Sequence, residues 1–463
     1  MALVSSQLYR EVIDTASRGP KPVHFRYEMD LIANGKTFKT MGGVNYSVLR
    51  NYLTNYMDDV KVELLLPAGT YNFDILPNRR NLKMRVYAYP LYENGENDNR
   101  HAAPIIKEWK AVPYDVEDQA VNQNEASAQS KDAANTSTMN RYTFQLMDPV
   151  AEQMRLVRVG GIYRNKTPGE LLQGLLTQYS LSLDFDLDRK PLGVGMVAPN
   201  NTERRQVFVI PHASPLVDQP DGTYGLARYL QFVEGGIYNA GIASYYQGRH
   251  WYVFPPFDVS RYEKATKRLT IANIPAKDMR QPERSYRVDG NNVYVLATGN
   301  VNYRDQSEHE QLNAGNGVRW ASPTKVFDGI LKGEGNRAKA DRSQTMSEIV
   351  GDKNPENLTH APMSAQPISS NSAAQMTPLA YKRGAVVQLS WENADIDVLF
   401  PGMPVRLIYE RQKRIEMLDG VLIGAEFSSA PVGKIGAKEA WLTNAALTLF
   451  VTRSKVDEVK HEA

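Results

Sequence analysis

The hexad Gly193-Val194-Gly195-Met196-Val197-Ala198 carries the letters of a dinucleotide-binding fingerprint, whose glycines let a turn bring backbone close to a pyrophosphate at a helix N-terminus. The residues that follow, Pro199-Asn200-Asn201, cannot open that helix, so the segment reads as a flexible turn. Asp184, Asp186 and Asp188 alternate, and an extended backbone places their carboxylates on one face, either as ligands of a hard cation such as calcium or as a solvated strand face. No glycine-turned ligand loop follows them. The histidines at positions 24, 101, 212, 250, 309, 360 and 461 include no pair at helical ligand spacing, which argues against zinc. His309 lies between Glu308 and Glu310, which can orient an imidazole, but no nucleophile is near in sequence and the residue reads as a surface histidine. There is no Gly-x-Ser-x-Gly elbow and no P-loop. A glycosidase pair depends on the separation of two carboxylates in the fold, so that chemistry stays open at this level. No residue is assigned a catalytic, cofactor-binding or metal-binding role, and no cofactor is implied.

Two further clusters bear on binding. Asn78-Arg79-Arg80-Asn81 with Lys83 and Arg85 is the densest basic run, and Tyr87, Tyr89 and Tyr92 follow it. It reads as a nucleic-acid backbone-binding strand with stacking aromatics or, with less special pleading, as the outward face of a β-strand. Tyr245, Tyr246, Trp251, Tyr252 and Phe254 load a hairpin that reads as core or subunit interface rather than a ligand cage. With 54 basic and 52 acidic side chains the formal charge is +2, so no global field selects nucleic acid or an acidic membrane. The absence of cysteine removes disulfides, thiolate nucleophiles and thiolate metal sites together. Met1 to Pro20, with Arg10, Glu11, Asp14 and Arg18, resembles neither a secretory signal nor a membrane span, and cytosol-like conditions are expected.

The elements that position these residues are mostly strands. Val23, Phe25, Tyr27, Met29 and Leu31 alternate with polar residues, as do Leu82, Met84, Val86 and Ala88, and Tyr142, Phe144 and Leu146. Val60 to Leu66 is a more continuous apolar run stopped at Pro67-Ala68-Gly69. Thr167-Pro168-Gly169-Glu170 is a capping box that predicts a helix, with Leu171, Leu172, Leu175, Leu176 and Tyr179 on one stripe. A second helix is predicted from about Thr223 to Glu234, stopped by Gly235-Gly236, and then a hairpin of Ile242 to Tyr246 and His250 to Phe254. Strands resume at Leu269 to Ile274, Ser285 to Val288 and Val293 to Ala297, and again at Ala385 to Trp391, Val405 to Tyr409, Ile415 to Phe427 and Trp441 to Val451. Polar tracts at Val116 to Asn140 and about Lys332 to Gln375 hold too little apolar surface to fold alone and are expected to be mobile.

Three stretches resemble the baseplate hub of contractile phage tails and the related head of secretion-system spikes. The first, Leu64-Leu65-Leu66-Pro67 to Tyr89, is similar to the opening barrel strands of hub proteins. The second joins Thr167 to Tyr179 with Tyr224 to Phe254, where Glu234-Gly235-Gly236-Ile237-Tyr238 leads into the aromatic hairpin. The third is the corner Phe400-Pro401-Gly402-Met403-Pro404-Val405 with the strand Leu418-Asp419-Gly420-Val421-Leu422-Ile423-Gly424. The resemblance implies a mainly β fold with an α+β insertion, in which two barrel-like tube domains flank a helix-plus-sheet module. The expected division is residues 1–165, with a polar insertion at about 116–140; 166–275, the α+β module; and 276–463, with a polar loop at about 332–375. It implies a structural, non-enzymatic virion protein assembled in the host cytoplasm. Three copies would form a pseudo-sixfold ring joining the tail tube to the central spike, beside other baseplate subunits, without a membrane or sequence-specific nucleic acid, although the genome could pass through. The competing classes are a tail-associated cell-wall glycan hydrolase and a carbohydrate-binding β-protein using the aromatic hairpin.

Overall fold

The computed structural model describes residues 9–14, 24–39, 43–91, 105–114, 139–182, 191–274, 285–299, 377–382, 384–411, 414–435 and 438–452. The Asp184, Asp186 and Asp188 row and the tract Lys332 to Gln375 lie outside these residues, as does the tract from Val116 except its last two positions. The protein is mainly β. Its first strands are β1 (His24–Ala33), β2 (Lys36–Lys39), β3 (Gly43–Asn51), β4 (Asp59–Pro67), β5 (Leu82–Leu91), β6 (Ile105–Pro113) and β7 (Met139–Met147). Alternation sets their faces: Met29 and Leu31, Leu82, Met84 and Val86, and Phe144 and Leu146 are buried, while the residues between them are not. Val60 to Leu66 follows the same rule, with Val60, Val62, Leu64 and Leu66 buried and Lys61, Glu63 and Leu65 half-buried. A continuous apolar run is therefore a half-buried strand whose second face also meets partial cover.

The middle of the chain is α+β, with α1 (Pro149–Leu156), β8 (Arg158–Lys166), α2 (Pro168–Ser182), β9 (Gly193–Met196), β10 (Arg205–Pro215), α3 (Leu226–Phe232), β11 (Ala243–Gln247) and β12 (His250–Phe254). The capping box at the start of α2 forms as read: the Glu170 N–H donates to Thr167 Oγ1 at 3.0 Å, and the Thr167 N–H reaches Glu170 Oε2 at 3.5 Å. Leu171, Leu172, Leu175 and Leu176 are buried against a core of their own with Val207, Leu230, Tyr238 and Trp251. α3 is shorter than its apolar spacing predicts. Asp218 accepts from the Gly225 N–H at 2.7 Å at its start, and Gly235 and Gly236, at φ 83° and 87°, end the turn that follows. The β11–β12 turn is Gly248-Arg249, both at positive φ, which suits the twist of a tight hairpin.

The last strands are β13 (Arg268–Asn273), β14 (Tyr286–Asp289), β15 (Asn292–Ala297), β16 (Gly384–Trp391), β17 (Pro404–Arg411), β18 (Arg414–Ile435) and β19 (Lys438–Thr452), with α4 (Thr377–Lys382) before β16. With β1 to β7 they form one 14-stranded mixed sheet. Its pairings return on themselves twice. β3, β4, β7, β6, β5 and β1 are neighbours in that order; β1 meets β19 at Phe25 and Trp441, β19 pairs β18, and β18 pairs β3 with Ala425 opposite Arg50. In the second circuit β18 pairs β17, β17 pairs β13, β13 pairs β15, and β19 pairs β16. Thr298 closes it, exchanging two 2.8 Å backbone bonds with Ser390 of β16. One apolar core runs through both circuits and includes Leu31, Val62, Phe144, Ile271, Val295, Leu407 and Phe427. Among the described residues no helix is long and apolar enough to cross a membrane.

Candidate functional site

The most heavily invested polar site lies where the two β portions and the α+β portion meet. Arg50 ends the buried face of β3, and its side chain is 2% exposed. Its Nε and Nη2 donate to Asp58 at 3.2 Å, and its Nη1 donates to the Ile396 carbonyl at 2.6 Å and the Leu399 carbonyl at 3.5 Å. Burial alone would lower the guanidinium pKa, but Asp58 together with the Tyr52 and Tyr245 hydroxyls outweighs it and raises the value. Asp58 also accepts from the Tyr245 hydroxyl of β11 at 2.9 Å, and Gln247 of the same strand donates to the Leu399 carbonyl at 2.8 Å. The Tyr245 hydroxyl is pushed far above its ordinary pKa, first by burial and then by Asp58, so it remains a donor. Tyr52 packs edge-on to Tyr245 with ring centroids 4.8 Å apart. One ion pair therefore fixes three chain segments far apart in sequence.

The corner before β17 completes the junction. Gly402 has φ 68°, and a Cβ there would stand 2.3 Å from the Phe254 ring, so only glycine lets the corner sit under the hairpin. Arg261 donates to the Gly402 carbonyl at 2.9 Å. Between β16 and β17 the strap of residues 392–400 is bonded to β3 and β6 of the first circuit. Asp397 pairs with Lys107 of β6, the Asp397 N–H donates to Asp395 Oδ1 at 2.9 Å, and the Tyr286 hydroxyl donates to Asp395 Oδ2 at 2.8 Å. Burial, then the Asp397 charge, raises the Asp395 pKa. For Asp397 burial acts upward, but the Lys107 ammonium outweighs it and holds the carboxyl below its ordinary range. These two carboxylates, Lys107, Phe25, Tyr27, Tyr46 and Ile105 line a cleft with room for about one water. Such a space holds no sugar ring, although acid and base roles could be divided between groups shifted apart in this way.

The other residues singled out in the sequence are dispersed. Gly193 to Met196 is not a turn: it is strand β9, parallel to β12, with Val194 opposite Trp251. The aromatic hairpin is core, with Tyr245, Tyr246, Trp251 and Phe254 at most 2% exposed and therefore closed to ligand stacking. Asn78 to Asn81 lies in a 3₁₀ turn, Leu76–Asn81, while Lys83 and Arg85 share Glu108 on β6 at 3.3 and 2.9 Å. Its strand portion is thus an outward face whose two cations share one carboxylate. His250 Nδ1 lies 3.1 Å from the Gly248 carbonyl oxygen, and His24 and His212 fall in β1 and β10. His101, His309, His360, His461 and Tyr92 lie outside the described residues. Among the described residues no three His, Asp or Glu side chains gather as a metal site. Arg50, Asp58, Asp395 and Asp397 escaped sequence reasoning. The available signal was an arginine at an inward strand position, where only a buried partner makes it tolerable.

No family model and no curated protein matches the chain. Several solved structures are similar to it. A tail protein from Neisseria meningitidis MC58 is 11% identical, with 92% of this chain and 96% of that chain covered and a TM-score of 0.43. The 43 kDa tail protein of prophage MuSo2 from Shewanella oneidensis is 10% identical, with 91% and 96% covered and a TM-score of 0.40. An E. coli component of the type VI secretion system is 9% identical, with 92% and 77% covered and a TM-score of 0.34. Among the solved structures similar to this chain are therefore two proteins described as tail proteins, one of them from a prophage, and a secretion-system component.

Proposed function

We propose that the chain is a structural baseplate hub of a contractile phage tail, a trimer whose pseudo-sixfold ring joins the tail tube to the central spike. In this reading two barrel-like tube domains, residues 1–165 and 276–463, flank the α+β module at 166–275, with β18 and β19 serving both. The observation that carries it is the double return of the strand pairings: six copies of a similar wall are what three such subunits bring to a ring. The junction supports the same reading, because Arg50, Asp58, Tyr245 and the Gln247 amide N–H are bonded to one another or to strap carbonyls and hold position. The hub resides in the virion tail after assembly in the host cytoplasm, with the spike, the tube and other baseplate subunits as partners. The test is the native mass of the purified full chain: three chain masses at micromolar concentration support the reading, and one chain mass contradicts it.

The hydrolase alternative gains only the divergent Asp395 and Asp397 carboxyls, set in a space the size of a water. Release of reducing sugar from cell-wall glycan, abolished by Asp395→Asn, would establish it; no release is the expected result.

A further inference from the structure

We propose that the β18–β19 ribbon locks the two strand circuits into one cooperative body with no hinge between them. β18 is 22 residues long and β19 is 15, so at about 3.3 Å per residue the shared ribbon extends on the order of 50 Å. Along its first part β18 pairs β17, Arg414 to Val421 lying against Arg411 to Pro404; from Gly424 to Ser429 it pairs β3 instead. β19 makes the corresponding change, pairing β16 from Ala445 to Thr452 and meeting β1 at Trp441. The change of partner coincides with a register shift between Leu422 and Gly424. Such a bulge bends a strand and strengthens its twist. Gly420 and Gly424 bracket it, and a Cβ would stand 2.2 Å from the Phe450 carbonyl oxygen at the first and 3.0 Å from the Arg50 carbonyl oxygen at the second. From Gly420 to Ala425 every residue is buried, whereas Glu426 and Ser428 on the far side of the bulge are exposed. The ribbon is thus covered on both faces where the two circuits meet, and on one face beyond.

Opening either circuit strips that cover from the same residues. A register slip by one position would turn Phe427, Leu447 and Leu449 away from the common core in both circuits at once. The strap adds a second tie, because Arg50 of β3 holds the Ile396 and Leu399 carbonyls at the approach to β17. The two portions open with a single free energy, and load applied to one passes to the other without rotation between them. This rests on pairings and contacts within one chain and stands whatever the oligomeric state.

Native-state hydrogen exchange on the full chain, read by mass spectrometry, tests it. Ile271 is fully buried in β13 of the second circuit. Ile271→Ala should lower the protection of Leu269 to Asn273 and, by the same factor, that of Val60 to Leu66 in the first circuit. Ile271→Val, which removes a single methylene, supplies the measurement if the alanine variant does not accumulate. The reciprocal variant Val62→Ala should lower protection in Val405 to Tyr409 equally. Loss of protection confined to the circuit carrying the substitution, with the other at its wild-type value, would overturn the proposal.

Discussion

Arg50 and Asp58 show how much of this protein's geometry hangs on single side chains. Removing the Asp58 carboxylate leaves a guanidinium buried without a counter-charge, a loss of about 3–5 kcal/mol. Asp58→Ala should therefore lower the urea midpoint far more than substitution of the Glu63–Arg141 pair, where Glu63 is half-buried and Arg141 exposed and solvent screens the ions; equal effects would place Arg50 outside the junction. Thr167→Ala removes only a cap bond and should cost about 0.5–2 kcal/mol, leaving assembly intact. Asp395 and Asp397 make the junction respond to pH in two senses. Asp395 has its folded pKa above the ordinary 3.8, so stability rises as pH falls toward that value and Asp395 takes up its proton in the folded state. Asp397 has its folded pKa below 3.8, so its contribution is lost as pH falls through that depressed value. Urea midpoints measured against pH should rise on mild acidification and fall below 3.8; Asp395→Asn should flatten the first limb, and Asp397→Asn the second.

At the scale of elements, the corner before β17 and the hairpin turn offer a matched comparison. Gly248 has φ 57° with open space around its Cβ position, so Gly248→Ala meets only the left-handed backbone cost of about 1–2 kcal/mol. Gly402 has the same backbone restriction plus the Phe254 ring, and Gly402→Ala should cost about 1–3 kcal/mol more through overpacking. Melting temperatures of the two variants check this, and equal losses would mean that the hairpin does not press on the corner. This corner was legible in sequence because Pro-Gly and the following Pro permit little else. The α2 cap was legible too, since Thr167 and Glu170 are three residues apart and their bonds are local. β9 was not. Two glycines in four residues argue against a strand, and only the neighbouring β12, distant in sequence, overrides that preference. The length of β18 was hidden for a related reason: exposed Glu426, Ser428 and Ala430 end the apolar signal near Phe427, while pairing with β19 continues to Ile435. The junction was least legible, because Arg50, Tyr245 and the 392–400 strap meet only through the packing of all three portions.

At the scale of the molecule, strand edges decide what the protein can do. Closing the pairings on themselves removes most of the edges of the described strands that would otherwise invite unspecific pairing. The α+β portion carries its own core beside this wall and is tied to it by Tyr245, Gln247 and Phe254. Such a body suits a part that fixes positions in a larger particle. An obligate ring interface commonly buries more than about 2,000 Å² and persists on dilution to micromolar concentration. The mass of the native full chain at that concentration is the most direct measurement of the hub reading. The account predicts three chain masses in one particle; a single chain mass, unchanged as concentration is raised, would contradict it.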